Sequence, residues 1–249
     1  MGENLMDFEK LKKLLESYGK EKDIDEYIKV YEDHLSRNKK YLNLRFEGEA
    51  GDWRRIKGIG LALRQMLHHR AVSLYEGSLL SSMQNNVYLV ALSVRGHYET
   101  TAAMGYFCAR LHSYSEGNIG AETIEEEIGN QIRGSRAEEL LLAPDPKNIL
   151  TQLDYADKAI GRLLINDGQK DLKWLRESYE FLCEFCHPNF HSNKLSYNLD
   201  EKNGVFIFRY EGEQILKKEF GIIEYILISG GLFIDLFDWA GEFLKQPKR

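Results

Sequence analysis

The sequence predicts an all-α protein, a helical bundle with one β-hairpin inserted before a long C-terminal helix. Three observations carry this. Apolar residues recur at three- and four-residue spacing through most of the 249 positions. Only four prolines occur, at 144, 146, 188 and 247, and three of them stand where a helical pattern stops. A single segment, "KLSYNLDEKNGVFIFRY", leaves the helical rhythm for alternation.

The first strong pattern is "DIDEYIKVYEDHLSRNKKYLNL", with Ile24, Tyr27, Ile28, Tyr31 and Leu35 on one face and Asp23 with Glu26 as cap and reciprocal partner. It places a helical extension within residues 1–50. A second helix runs through Ile56, Ile59, Leu63, Met66 and Leu67 toward Leu74. A third starts near Asn85 and Asn86, good capping residues, and carries Val87, Val90, Val94, Thr101 and Tyr106. "AETIEEEIGNQIRGSRAEELLL" is helix-forming, acidic at its start and closed by "APDP". Leu150, Leu153, Ala156, Ile160 and Leu163 mark the next helix, ending in a turn at Asn166-Asp167-Gly168. Another runs from about Gln169 into "ESYEFLCEFCHPNFHSN".

In the hairpin, spanning 194–210, Leu195, Tyr197 and Leu199 alternate with polar residues. A turn at Asn203-Gly204 then leads into Val205, Phe206, Ile207 and Phe208. The last helix extends from about Glu213 to Leu244, with candidate breaks at Gly221 and at Gly230-Gly231. No repeat or linker divides the chain, so a single domain over 1–249 is expected.

A hydrophobic share of 43% and a charged share of 29% describe an ordinary globular chain. The net charge of −6 offers nucleic acid no broad attraction, although Arg54, Arg55, Lys57, Arg64 and Arg70 fall close together. Three cysteines, an odd number, fit a reducing cytoplasm better than a disulfide framework. The charged N-terminus has no apolar signal core. The most apolar stretch, Tyr225 to Ile234, is far short of the ~20 residues a bilayer span needs, so no membrane association is expected.

Few residues carry chemistry. Cys183, Cys186, His187 and His191 are enough soft ligands for zinc. Yet Tyr179, Leu182, Cys183 and Cys186 fall at i, i+3, i+4 and i+7, the stripe of an amphipathic helix, and Pro188 keeps His187 off a helical pair with His191. The expectation is no metal and no cofactor. Phosphate-loop and nucleophile-elbow motifs are missing. Arg95 and Glu99 share a helix face among apolar neighbours, and a buried pair of this kind needs further partners. Tyr179, His187 and Asn189 are candidates for that role.

"ALSVRGHYETTAAMGYF" and "YEFLCEFCHPNFHS" together resemble the Arg-x3-Glu helix and the Tyr-x7-His-Pro segment of bacterial helical proteins related to the HEPN superfamily. The resemblance covers roughly residues 55–244. It implies a four- to five-helix bundle, often a homodimer, and a metal-independent ribonuclease or toxin of antiphage defence. Arg95, Glu99 and His187 would be catalytic, and Tyr179, Asn189 and His191 would bind an RNA or nucleotide substrate. An antitoxin or other protein partner is implied as well. The superfamily's Arg-x4-6-His motif is not reproduced at His187, since ten residues separate it from Arg176. Arg64 and His69 have that spacing, at a frequency chance alone supplies about once in such a chain. A second reading therefore stands beside the first, a non-catalytic helical module for dimerisation or protein binding.

Overall fold

The computed structural model describes residues 6–44, 48–134, 147–165, 172–208 and 217–246. Among them the chain forms nine α-helices and one hairpin. The helices are α1 (Phe8–Ser17), α2 (Ile24–Arg37), α3 (Trp53–Met83), α4 (Val87–Ser115), α5 (Ala121–Arg133), α6 (Ile149–Ala159), α7 (Trp174–Cys186), α8 (Phe190–Lys194) and α9 (Lys217–Lys245). Strands β1 (Tyr197–Asp200) and β2 (Val205–Phe208) stand between α8 and α9. The fold is all-α with an inserted hairpin. The turn expected at 166–168, the "APDP" stop and the last two hairpin positions lie outside the described residues.

Local chemistry sets most of the boundaries. Asp7 caps α1 by accepting from the Lys10 N–H at 3.0 Å. Asn86 accepts from the Leu89 N–H at 3.2 Å at the start of α4, while Asn85 takes the left-handed conformation, φ 57°, that turns the chain out of α3. Helix α6 opens at Asn148, which accepts from the Leu150 N–H, and runs into a π-helical turn, Ile160–Leu164. Pro188 follows the last residue of α7 by two positions. Helix α9 is continuous through Gly221 and Gly230-Gly231, so these glycines do not break it.

The chain divides into two compact units, with α2, α3, α4, α7 and α9 each contributing residues to both. Unit 1 comprises Met1–Ser36, Val72–Tyr98 and Glu177–Gly231. Its core is aromatic and unusually polar. Tyr27, Tyr31, Tyr75, His34, His97 and Ser229 are all buried. The Tyr75 hydroxyl donates to the Tyr27 carbonyl at 3.2 Å, and His97 Nδ1 shares a 2.7 Å hydrogen bond with Ser229 Oγ. The rings of His34 and His97 meet edge to face, 5.8 Å apart. Burial pushes the Tyr31 hydroxyl up to about 12 and raises those of Tyr27 and Tyr75 well above the usual tyrosine range. Gly230 is tight against this cluster. A Cβ there would meet Tyr75 Cε2 and Val30 Cγ1 at 2.7 Å, whereas one at Gly231 meets nothing within 4 Å.

Unit 2 comprises Arg37–Ala71, Glu99–Arg176 and Leu232–Arg249. Gly105 of α4 lies so close to α6 that an added Cβ would be 2.4 Å from Ala156 Cβ. Asp157, buried, accepts from the N–H groups of Leu175 (2.9 Å) and Arg176 (3.2 Å), which fastens the first turn of α7. Arg64 stacks its guanidinium 3.3 Å over Phe237, donates to the Phe237 carbonyl and approaches Asp238, which also takes Arg37 in a two-pronged pair. Burial lowers Arg64 to about 10.

Candidate functional site

The residues nominated by the sequence gather mostly in unit 1, along one continuous piece of chain from α7 through α8 to the hairpin. Tyr179 sits in the middle of α7 and is almost fully buried. Arg95 of α4, half-buried, donates from Nη2 to the Tyr179 hydroxyl at 2.8 Å and holds its guanidinium carbon 5.1 Å from the centre of the same ring. This pair joins two of the named residues. Glu99 follows Arg95 by one helical turn on α4, is half-buried, and belongs to unit 2.

Helix α7 closes on the His187-Pro188-Asn189 corner. The His187 N–H donates to the Cys183 carbonyl, completing the last turn, and its side chain is exposed. Asn189 has a structural task. Its Oδ1 accepts from the Ser192 N–H at 3.0 Å as the cap of α8, while its Nδ2 donates to Glu184 Oε2 at 3.0 Å. His191, exposed, sits among Phe185 and Phe190, with ring centres 6.4 and 5.7 Å away. The Tyr88 hydroxyl of α4 donates to the Ser192 carbonyl at 3.0 Å and pins α8 down. The ring contacts continue from Phe185 to Phe181, which is exposed, and on to Tyr225, which stacks on Phe181 at 5.4 Å.

Cysteines 183 and 186 are half-buried thiols outside any disulfide. Among the described residues no group of three or more His, Cys, Asp and Glu is arranged to hold a metal ion. No helix among them is long and apolar enough to cross a membrane.

The hairpin is the part that pattern reading undervalued. Strands β1 and β2 pair antiparallel, Tyr197 with Phe208, Leu199 with Phe206 and Asp200 with Val205. The turn between them is four residues long. Asp200 Oδ1 accepts from the N–H groups of Lys202 and Asn203, and Gly204 takes φ 64°. Alternation puts Tyr197, Leu199, Phe206 and Phe208 on one face. The Tyr197 ring meets Phe206 edge to face at 4.9 Å and Phe208 at 6.4 Å. All four residues of β2 are between 49% and 61% exposed, Leu199 is 48% exposed and Phe190, just upstream, 66%. The signal was present in the sequence as four consecutive apolar residues, the mark of a strand covered on both faces. In this structure both faces of β2 are about half open.

No family model, curated protein or solved structure matches the chain.

Proposed function

We propose that this chain is a non-catalytic, protein-binding helical module that engages its partner through the hairpin. The observation that supports this reading best is the half-open apolar face of Leu199, Phe206 and Phe208 beside the more covered Tyr197. Apolar side chains grouped on one small element and left in water mark interaction surfaces. The rest of unit 1 acts as the mount. Tyr88 pins α8, Asn189 caps it, and Phe181 of α7 stacks on Tyr225 of α9. Arg95 serves the mount too, because its hydroxyl partner is a buried tyrosine.

The test uses the purified full chain. The double variant Phe206→Glu, Phe208→Glu should keep the wild-type helical circular dichroism and lose most binding of an apolar fluorescent dye. Unchanged dye binding would mean the hairpin face is not accessible, and the reading would be lost.

A ribonuclease related to the HEPN group is the second reading, favoured by one observation. His187 is exposed at the end of the same helix whose Tyr179 holds Arg95. An exposed imidazole is free to exchange a proton with a ribose hydroxyl. RNA cleavage in the presence of a chelator, abolished by His187→Ala, would establish that reading over the first.

A further inference from the structure

Whatever the aromatic face binds, we infer that Asn203 at the hairpin tip is a site of spontaneous deamidation, restrained by Asp200, whose product unfastens the turn. Asn203-Gly204 is the one Asn-Gly step in the chain, and every other asparagine precedes a residue with a side chain. Both residues are exposed, and Gly204 has no side chain to shield its backbone nitrogen. That nitrogen attacks Cγ of Asn203, and the new bond closes a five-membered succinimide. The Cγ–Nδ2 bond breaks, and Nδ2 leaves as ammonia with the proton that the backbone nitrogen gives up. Water then opens the ring at either carbonyl carbon, leaving an aspartate or an isoaspartate at position 203. The step needs no redox partner, and water is its one co-reactant.

The fold restrains this reaction at one contact. Asn203 Nδ2 donates to Asp200 Oδ2 at 2.8 Å, while Asp200 Oδ1 accepts from the Lys202 and Asn203 N–H groups at 3.1 and 3.3 Å. The bond from Asn203 is the first reason that the Asp200 carboxyl lies below its ordinary range, so the acceptor is ionised at neutral pH. A nitrogen bonded to an anion must give up that bond as it leaves, which slows the step. It does not stop it, because the contact is at the surface and water competes for it. The product reverses the sign of the contact. A second carboxylate then faces Asp200 where an amide donated, and like charges this close repel. Asp200 also accepts from two turn N–H groups and pairs with Val205 at the first rung, so displacing it loosens the tip. Isoaspartate goes further, adding a methylene to the main chain between β1 and β2 and disturbing the register that the turn sets.

The test holds the purified full chain in mildly alkaline buffer, maps its peptides by mass spectrometry, and reads amide hydrogen exchange at residues 197–208. Asn203 should gain the mass of an amide-to-acid exchange before any other asparagine does. Asn203→Gln, whose cyclisation would need a six-membered ring, should stay unmodified at that position. Asp200→Asn keeps an oxygen for the turn N–H groups but removes the anion, and should convert several-fold faster. Asn203→Asp should exchange faster than wild type at 200–205, and that difference should shrink in the Asp200→Asn background.

Another asparagine converting first overturns the site. So does an unmodified Asn203 in the full chain under conditions that convert a peptide of residues 199–206. Equal or slower conversion in Asp200→Asn overturns the restraint by Asp200. Exchange at 200–205 that is the same in Asn203→Asp and wild type overturns the unfastening of the turn.

Discussion

Gly230 and Gly231 are adjacent on one helix, yet replacing each by alanine should move stability in opposite directions. Alanine is favoured over glycine inside a helix by about 0.8–1 kcal/mol. At Gly231 nothing stands within 4 Å of the new methyl, so that gain should appear nearly whole. At Gly230 the methyl would sit 2.7 Å from the Tyr75 ring. That ring has no easy retreat, being fully buried, hydrogen-bonded to the Tyr27 carbonyl and 5.3 Å from the His34 ring. Overpacking of a fixed core costs about 1–3 kcal/mol, and displacing the Tyr75 hydroxyl from its acceptor adds about 1. The net loss for Gly230→Ala is then about 1–3 kcal/mol, and the two neighbours differ by about 2–4. Urea unfolding followed by far-ultraviolet circular dichroism reads this as midpoints displaced to opposite sides of wild type. Equal shifts of the same sign would refute the close approach of α9 to Tyr75 and Val30.

Three further outcomes follow from the structure. Asp157→Ala should cost about 2–3 kcal/mol in the same assay, since it strips a charged acceptor from two N–H groups at the start of α7, one of them on buried Leu175; a loss below about 0.5 would mean that water replaces the carboxylate. Tyr179→Phe should cost about 1–3 kcal/mol through the bond donated by Arg95, with the helix content of the folded state unchanged. Alkali should unfold the protein cooperatively. Tyr31 and Tyr106 ionise near 12 in the folded chain against about 10 when exposed, so the unfolded form loses protons first and stability falls as pH rises from 10 to 12. Tyrosinate absorbance should therefore rise together with the loss of ellipticity, and a gradual titration of the intact fold would contradict that burial.

Helices were legible in the sequence because their chemistry is local. Asn86 and Pro188 punctuate α4 and α7 through groups a few residues away. The glycine pair of α9 was not legible. Glycine reads as a break when only the chain itself is in view, and its actual use, close approach to Tyr75, depends on a residue some 150 positions away. His97 and Ser229 were invisible for the same reason. Neither stands in a motif, and they share a hydrogen bond only because α4 and α9 bring them together. For the candidate site, the Arg95–Tyr179 pairing was within reach, since a half-buried arginine demands an acceptor. Asn189 is one residue past a proline and three before the N–H it caps, a pattern that speaks for a helix start as readily as for a ligand contact.

Local rules and tertiary setting agree over most of this chain, and that agreement makes the disagreement at β2 informative. Val205-Phe206-Ile207-Phe208 has the composition of a strand buried on both faces, and β-branched and aromatic residues are retained at such positions when something packs on them. Four of them half in water are a hazard for edge pairing and aggregation that proteins ordinarily blunt with lysine or proline. Here the charges sit instead in the turn, at Glu201 and Lys202, and on the opposite face, at Asp200, leaving the aromatic side bare. The Arg95–Tyr179 pair is a contact of a different kind. Its hydrogen bond and its ring contact join α4 to α7.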